Sequence, residues 1–578
     1  MKQRFIFPAI ILVLFFLPFF VWGQDVLGQE TAFNVEPSYD ISRRTDISSL
    51  LVKISPTAYW YADKAWWQGL AAKEQEKIEQ SLNLLAEEFE DNIYPNLTRT
   101  FGSEWNPGID KDTRLTILLH EMDEKKEGYF RSADEEPKIQ IPSSNEREMI
   151  YLNSRSINSA NIKSFLAHEF MHLITFNQKD KRYNLSEDRW LNEGRSEYVS
   201  SFLGYDNDYE GSNLQKRVRD FLDKPSDSLT EWRDAPSDYG VVNLFMQYLA
   251  DHYGVGILAE SLKLRKTGIE SLNAVLAQQG FKEDFSQIFA NWTVAVLINN
   301  CQVSEKYCYY NQNLKNFRII PLINYLPFIG NSTLSVTNSA KDWSGNWHRF
   351  IGGEGTMELE FRTAAAPSFK IPYVIEKKDG SLRVDFLLLD SSGQVKLRID
   401  DFNLQNIALT IIPISQNKIS DFSGLEPSRS FSWSASIHKE GGEVIPTLPP
   451  LLKPFSQMTK EEILARISEI KSLVVQLQAM LAQLTGSSAS CKEINQNLYL
   501  GMKDNLQVRC LQEFLKSQGG SIYPEGIVSG SFFALTQKAV IRFQEKYASE
   551  ILIPAGETKG TGYVGALTRA KINQLLTK

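Results

Sequence analysis

Cysteine and histidine are scarce in this chain of 578 residues, with four of one and six of the other. The cysteines fall as two local couples, Cys301/Cys308 and Cys491/Cys510. Neither couple has the short spacing of a zinc knuckle, which argues against a cysteine metal site. In an exported chain an even count suggests two disulfides, although free thiols and three pairings stay open. A surplus of positive charge is missing too. With 62 basic and 70 acidic residues, a net charge of −8 and a pI near 5.6, neither nucleic acid nor an acidic membrane surface is indicated as the main partner. Beyond residue 22 no apolar run is long enough to span a membrane.

The one long apolar run is at the start. Lys2 and Arg4 precede Phe5–Trp22, and Gly23-Gln24 follows. That order of basic, apolar and small residues reads as a signal peptide over 1–23, with a retained signal anchor as the alternative. Both predict export, to a secreted or cell-wall-associated location.

Organisation follows from changes in texture. Residues 24–48 are polar and without period, and read as a loose leader. Residues 49–300 carry short buried strands at 50–54, 115–119 and 149–152 and a long amphipathic helix over about 71–96. Residues 301–439 change to short alternating runs split by Gly, Ser, Asp and Asn, as in a β-sandwich. Residues 440–456 are a Gly/Pro-rich linker. Over 457–486, Thr459 and Glu462 form a capping box, and Ile463, Ile467, Ile470, Val474, Leu477, Leu481 and Leu484 make an apolar seam. The seam suits a short coiled coil, and so self-association through 459–485, or a helix packed on a neighbouring domain. Residues 491–578 form a further small helical unit. The fold class expected is multidomain: an α+β catalytic-type domain, an all-β sandwich, a coiled-coil helix and a three-helix domain.

The chemistry is concentrated at Ser164–Tyr198. His168-Glu169-Phe170-Met171-His172 is an H-E-x-x-H pattern, and on a helix residues four apart share a face, so both imidazoles reach one ion. A hydrolytic zinc site takes three protein ligands and leaves one position open. Glu193, twenty-one residues beyond His172 in Trp190-Leu191-Asn192-Glu193-Gly194, supplies the third. Glu197, one turn on, is either an orienting partner for a ligand imidazole or a surface carboxylate balancing Arg195. Asp206-Asn207-Asp208 with Glu210 reads as a solvated acidic loop in preference to a calcium site. The segment 127–152, ending in a strand just before the motif helix, is placed near a substrate cleft, where an extended peptide would add to a sheet edge.

These motifs closely resemble the gluzincin metallopeptidases, in particular the aminopeptidase N family. The resemblance implies one zinc ion per chain on His168, His172 and Glu193, with Glu169 as general base. It also implies a transition-state donor in Tyr239, which stands nine residues before Tyr248-Leu249 as the family's helix-opening tyrosine does, although the glycine has moved to Gly240. His252 is the second candidate for that role. The gap from His172 to Glu193 is longer than usual, and the G-x-M-E-N motif that binds a free amino terminus is absent. The site therefore looks more like that of secreted endopeptidases of the hyicolysin group. Residues 491–578 resemble the three-helix peptidoglycan-binding domain, through Val508-x-x-Leu511-Gln512, Gly530-x-Phe532, Phe543-Gln544 and Gly562-x-Val564-Gly565-x-x-Thr568. Together the resemblances imply a wall-associated zinc endopeptidase acting on protein or peptide. Two alternatives stay open: an amidase or peptidase acting on peptidoglycan peptides, and a non-catalytic wall-bound adhesin or scaffold.

Overall fold

Strict alternation builds the first sheet. In β3 (Ala58–Asp63), Ala58, Trp60 and Ala62 face one way and Tyr59 and Tyr61 the other, and all are buried, so both faces of the strand are covered. The computed structural model describes residues 24–326, 331–365, 368–422, 424–438, 458–485, 493–503 and 505–577. The expected signal peptide at 1–23, the expected linker at 440–456 and Cys491 lie outside them. Among the described residues no helix is long and apolar enough to cross a membrane. The chain divides into two compact units, 1–470 and 471–578.

The six strands are β1 (Glu30–Asn34), β2 (Asp46–Ile54), β3, β4 (Leu115–His120), β5 (Gly128–Phe130) and β6 (Met149–Asn153), in the order β1-β2-β3-β4-β6-β5. The β3–β4 and β4–β6 pairs are parallel, and β5 runs antiparallel to β6 at the edge. Between β3 and β4 lie α1 (Lys64–Gly69), α2 (Ala72–Glu88) and α3 (Tyr94–Phe101). The single long helix expected over 71–96 is interrupted by a wide turn at Phe89–Ile93. Pro95 opens α3, where its missing N–H costs nothing.

After β6 come α4 (Ile162–Phe176), α5 (Arg189–Phe202), α6 (Asn213–Asp223), α7 (Pro236–Tyr253), α8 (Gly256–Leu262), α9 (Gly268–Gln278) and α10 (Phe285–Ile298). The α4 helix is apolar on nearly every side because it is packed on nearly every side. Phe170 stacks on Tyr94 at 5.5 Å and meets Phe89 edge-on at 5.2 Å. Truncating such a ring typically costs about 3–5 kcal/mol.

Two expected boundaries move. Residues 24–48 are not a loose leader. Phe33 and Val35 are buried, β1 pairs with β2, and Asp40, fully buried, holds Arg44 at 2.7 Å and His120 at 3.3 Å. Polar composition misleads here because the polar groups find specific buried partners. Residues 301–319 belong with the helices and not with the β domain. Cys301–Cys308 closes a loop over α10, Trp292 Nε1 donates to Tyr309 Oη at 2.7 Å, and Tyr309 Oη donates to the Leu244 carbonyl at 3.1 Å. Cys510 is also disulfide-bonded.

From Leu322 the chain forms β7 to β16, joined as a ten-stranded network. It is two blocks, one holding β7 (Leu322–Leu326), β9 (His348–Gly352), β11 (Phe369–Lys377), β12 (Leu382–Leu387) and β14 (Asn406–Ile411), with the two-residue β15 (Ile414–Ser415) paired to β11. The other holds β8 (Ser332–Lys341), β10 (Gly355–Thr363), β13 (Gln394–Phe402) and β16 (Ser428–His438). A parallel pair, Phe402 with Asn406, links them, as does a parallel bridge from Asp342 to Ser415. Residues of both blocks fill one core around Phe350, Phe361, Phe431 and Trp433. Two tryptophans anchor this part to the helices: Trp347 Nε1 donates to the Thr293 carbonyl at 2.9 Å, and Trp343 lies edge-on to Phe285 and Phe289.

The helix α11 (Lys460–Thr485) starts with the expected reciprocal cap, Thr459 N to Glu462 Oε2 at 2.7 Å and Glu462 N to Thr459 Oγ1 at 3.3 Å. Beyond it, α12 (Leu506–Ser517), α13 (Ala534–Lys546), a one-turn α14 (Ala548–Ile551) and α15 (Ala566–Leu576) enclose their own core. A repeat is built into this unit. Buried Gln512 donates to the Ser531 carbonyl and Thr536 Oγ1 and accepts from Gly530 N. Buried Gln544 does the same with the Tyr563 carbonyl, Thr568 Oγ1 and Gly562 N. Each amide staples a loop to a helix start, so both buried glutamines are satisfied.

The β domain carries a built-in acid sensitivity. His348, 3% exposed, sits against Phe431 and Trp433 with no partner for Nδ1. Burial lowers its pKa from 6.5 to about 4. Below 6.5 the unfolded chain takes up a proton that the folded chain refuses. Stability therefore falls as pH drops from 6.5 toward 4, by up to about 3 kcal/mol. Urea unfolding of wild type and His348→Gln at pH 7 and pH 4.5 checks this: the gap between the two proteins should shift in favour of the variant at the lower pH.

Candidate metal centre

Helix α4 places His168 and His172 one turn apart, with their Nε2 atoms 3.1 Å from each other. Helix α5 then brings Glu193 Oε2 to 3.5 Å from His168 Nε2 and 3.6 Å from His172 Nε2. A tetrahedral ion with ligands at 2.0–2.1 Å sets its ligand atoms about 3.3 Å apart. The three donors form such a triangle, and two imidazole nitrogens with one carboxylate oxygen are a donor set that suits zinc. Among the described residues no other group of three His, Cys, Asp or Glu converges this closely.

The outer nitrogens are held as a metal ligand's should be. His172 Nδ1 faces Asn192 Oδ1 at 3.1 Å and Ser196 Oγ at 3.2 Å. His168 Nδ1 faces Glu197 Oε1 at 3.5 Å. Oxygen acceptors on the Nδ1 side keep the proton there and leave the Nε2 lone pairs pointing to the centre. Glu197 is no surface carboxylate. It is 1% exposed, receives two bonds of 2.7 Å from Arg217 Nε and Nη2, and a third of 2.9 Å from Asn213. Arg195, once its alternative partner, pairs with Glu187 at 2.7 Å instead.

The electrostatics of the trio favour positive charge at its centre. Burial alone would lower the His172 pKa, but Glu193 beside it raises the net value to about 9. Burial alone would raise Glu193, yet His172 and His168 hold its carboxyl well below the usual range. Glu169 behaves oppositely. Burial pushes its pKa up, and the attraction of His168 and His172 only partly offsets this.

All five predicted residues, His168, Glu169, His172, Glu193 and Tyr239, line one cleft of about 590 Å³. Tyr239 Oη donates to Asp234 Oδ1 at 2.7 Å, and Arg217 lies over its ring at 4.6 Å. Burial and the nearby Glu193 raise the phenol far above its ordinary pKa, so it stays a donor at neutral pH. The opposite wall is the edge strand β5, which supports the placement of 127–152 beside the cleft. A Cβ at Gly128 would lie 2.8 Å from the Tyr151 carbonyl and 3.0 Å from Glu169 Cγ, so only glycine lets this strand approach the motif helix.

Sequence reasoning missed several lining and supporting groups. Tyr39 comes from the supposed leader; burial and Glu169 raise its pKa to about 12. Asn192 lay inside the quoted motif, and its position one turn from Ser196 was the only available signal. Arg217, twenty residues beyond Glu197, had none. His252 is elsewhere: its Nε2 donates to the Cys308 carbonyl at 2.9 Å between Tyr248 and Tyr310. The acidic loop at 206–210 is occupied by its own chain, Asp206 accepting from Ser201 Oγ and Leu214 N, and Glu210 from Gln215.

With this geometry established, the chain can be set beside known proteins. Over 239 residues it is 26% identical to the neutral metalloprotease ShpI of Staphylococcus hyicus, covering 37% of this chain and 52% of ShpI. The chain is similar to a metalloprotease. The match spans about half the length of that relative. No family model matches. Likenesses to solved structures include the pre-peptidase C-terminal domain of a Bacillus anthracis collagenase (5% identity, TM-score 0.14, 20% of this chain and 96% of that one). Another is the lysozyme inhibitor PliG of Aeromonas hydrophila (11% identity, TM-score 0.14, 21% and 100%). At those TM-scores neither carries any argument.

The supporting layer gives a test that does not need activity. Asn192 is half-buried, so Asn192→Ala should leave the fold intact while leaving His172 Nδ1 with Ser196 Oγ as its one remaining partner. Zinc affinity, measured by competition with a coloured chelator, is expected to fall about 10–100-fold.

Proposed function

We propose that this chain is an exported zinc endopeptidase of gluzincin type. The observation that carries this reading is the His168–His172–Glu193 triangle with Glu169 in the same cleft, beside an unpaired sheet edge. A zinc ion held by the trio would supply a water of lowered pKa and polarise the scissile carbonyl.

The chain's own residues do the rest. Glu169 takes the proton of the attacking water and delivers it to the leaving amine. Its upward-shifted pKa suits a group that must hold a proton between two transfers. Tyr239 donates to the carbonyl oxygen as negative charge grows on it. Strand β5 pairs with β6 on one side only, so its other edge is free to add an extended peptide across the cleft. Residues 1–23 direct export, 491–578 dock on peptidoglycan, and 459–485 provide a seam for self-association. The C-terminal unit also favours a second reading in which the substrate is a peptidoglycan peptide.

Digestion of casein by the exported protein decides the matter, with purified peptidoglycan assayed alongside. Glu169→Gln should lower turnover about 10²–10⁴-fold with zinc still bound. A chelator should abolish activity and added zinc restore it. Tyr239→Phe should lower kcat about 10²–10³-fold and change KM little. Full activity in Glu169→Gln, or a protein that binds no zinc, overturns the proposal. Release of wall peptides without casein cleavage selects the second reading.

A further inference from the structure

Two hydrogen-bond donors in the cleft are left unused by the proposed reaction. Arg189 opens α5 one turn before Glu193, so both side chains leave the helix on the face that lines the cleft. The Arg189 side chain is 62% exposed, and its Nε stands 3.8 Å from Glu193 Oε1, too far for a hydrogen bond. Its guanidinium lies over the Trp232 ring at 5.6 Å, and Trp232 meets Tyr239 edge-on at 4.9 Å. The indole supports the flat of the guanidinium and leaves the edge that carries the donors free. Among the described residues no acceptor takes them.

Tyr39 stands on the opposite wall. Its ring packs on Tyr129 of β5 at 4.7 Å, with Lys126 Nζ over it at 4.6 Å. Among the described residues its hydroxyl has no hydrogen-bond partner either. Burial, and then Glu169, Asp234 and Glu193, raise the phenol to about 12, while Arg189 draws it back. The hydroxyl therefore sits among the charges of the cleft with its proton on. The other acids of the cleft are engaged: Glu187 with Arg195 at 2.7 Å, Asp234 with Lys126 at 3.3 Å and with Tyr239, and Asp180 with Ser186 Oγ at 2.8 Å. Apart from the two histidines, Arg189 is the one cationic side chain among the described residues that line the cleft. A guanidinium and a phenol with spare donors are complementary to an anion with planar oxygens.

We propose that Arg189 and Tyr39 form a carboxylate subsite, which holds a peptide substrate by a free carboxylate beside the His168–His172–Glu193 trio. The carboxylate comes from an acidic side chain or from the peptide's C-terminus, and the chemistry of capture is the same. Two guanidinium N–H groups meet its two oxygens side by side, and the phenol donates from across the cleft. Lysine would not replace Arg189, since a point charge makes no paired contact and does not lie flat on Trp232. Tyr39 differs from Tyr239 in having no bond to give up. It donates as readily to a bound substrate as to a transition state, and so contributes to binding and not to turnover. The subsite rests on the peptidase reading only in calling the captured peptide a substrate.

Equilibrium binding to the full chain carrying Glu169→Gln tests this without turnover, with zinc-loaded and metal-free protein measured side by side. The probes are short peptides of alanine and serine, capped at the N-terminus with an uncharged dye and read by fluorescence anisotropy. One series ends in a free carboxylate or an amide. The other is amidated and carries one Glu, moved along the peptide, with Gln or Lys in its place as controls. A free C-terminus, or Glu at one place in the peptide, is expected to tighten binding about tenfold or more over the neutral peptide, and the series that does so identifies the source. Arg189→Gln should abolish that advantage and leave the affinity for the neutral peptide alone. Arg189→Glu should turn it into a preference for Lys, and Tyr39→Phe should reduce it about fivefold. Peptides that bind alike whatever their charge, or do not bind, overturn the proposal. So does an advantage that survives Arg189→Gln, which would mark capture by another group. Failure of the peptidase reading shows separately, as absent zinc or absent turnover in the wild type, and leaves the metal-free comparison intact.

Discussion

The buried pair between Glu197 and Arg217 is the interaction on which the geometry of the His168–His172–Glu193 trio depends. Two histidines on one helix come almost free, since four-residue spacing aligns them whatever surrounds the helix. The third donor does not. It requires α5 to lie against α4 with Glu193 turned inward, and α5 is set by contacts along its length. Trp190 and Leu191 are fully buried, and Arg195 is locked to Glu187. Glu197 is clamped by both Nε and Nη2 of Arg217 while its Oε1 faces His168 Nδ1. One carboxylate thus fixes α5 to α6 and orients the His168 ring. Removing either partner would leave a buried charge uncompensated, a loss that generally exceeds the worth of the pair itself.

What the sequence revealed and what it hid divide along the same line. His168, Glu169, His172 and Glu193 were legible because their meaning lies in local spacing. So were strands β4 and β6 and the Thr459–Glu462 cap. The groups that hold the site in place were not legible, because each is chosen by a partner far along the chain. Arg217 gains its role only when α6 packs on α5. Tyr39 reaches the cleft only because residues 24–48 build an edge onto the sheet, with Asp40 buried against Arg44 and His120. Composition marked that stretch as polar and therefore loose; it could not register that its polar atoms were paired.

The C-terminal unit shows the same effect in a repeated form. Gln512 and Gln544 are individually ordinary, and only the identical bonding of their amides to a glycine N–H, a carbonyl and a threonine reveals two copies of one staple. A buried amide is acceptable in an apolar core only when its donors and acceptor are all satisfied. That requirement ties each glutamine to a glycine eighteen residues later, where the staple needs a backbone N–H at a turn of positive φ.

The bond between Tyr239 and Asp234 bears on how the proposed reaction would gain selectivity. At rest the phenol donates to a carboxylate, an acceptor stronger than any neutral carbonyl. A substrate carbonyl in its ground state offers too little to draw Tyr239 away. Once that oxygen carries negative charge, the exchange becomes one anionic acceptor for another, in a cleft from which water is displaced. The donor therefore transfers its bond only as the transition state is approached, and the interaction contributes to turnover more than to substrate binding. Lys126, 3.3 Å from Asp234, sharpens the exchange, because it remains to neutralise the carboxylate that Tyr239 leaves behind.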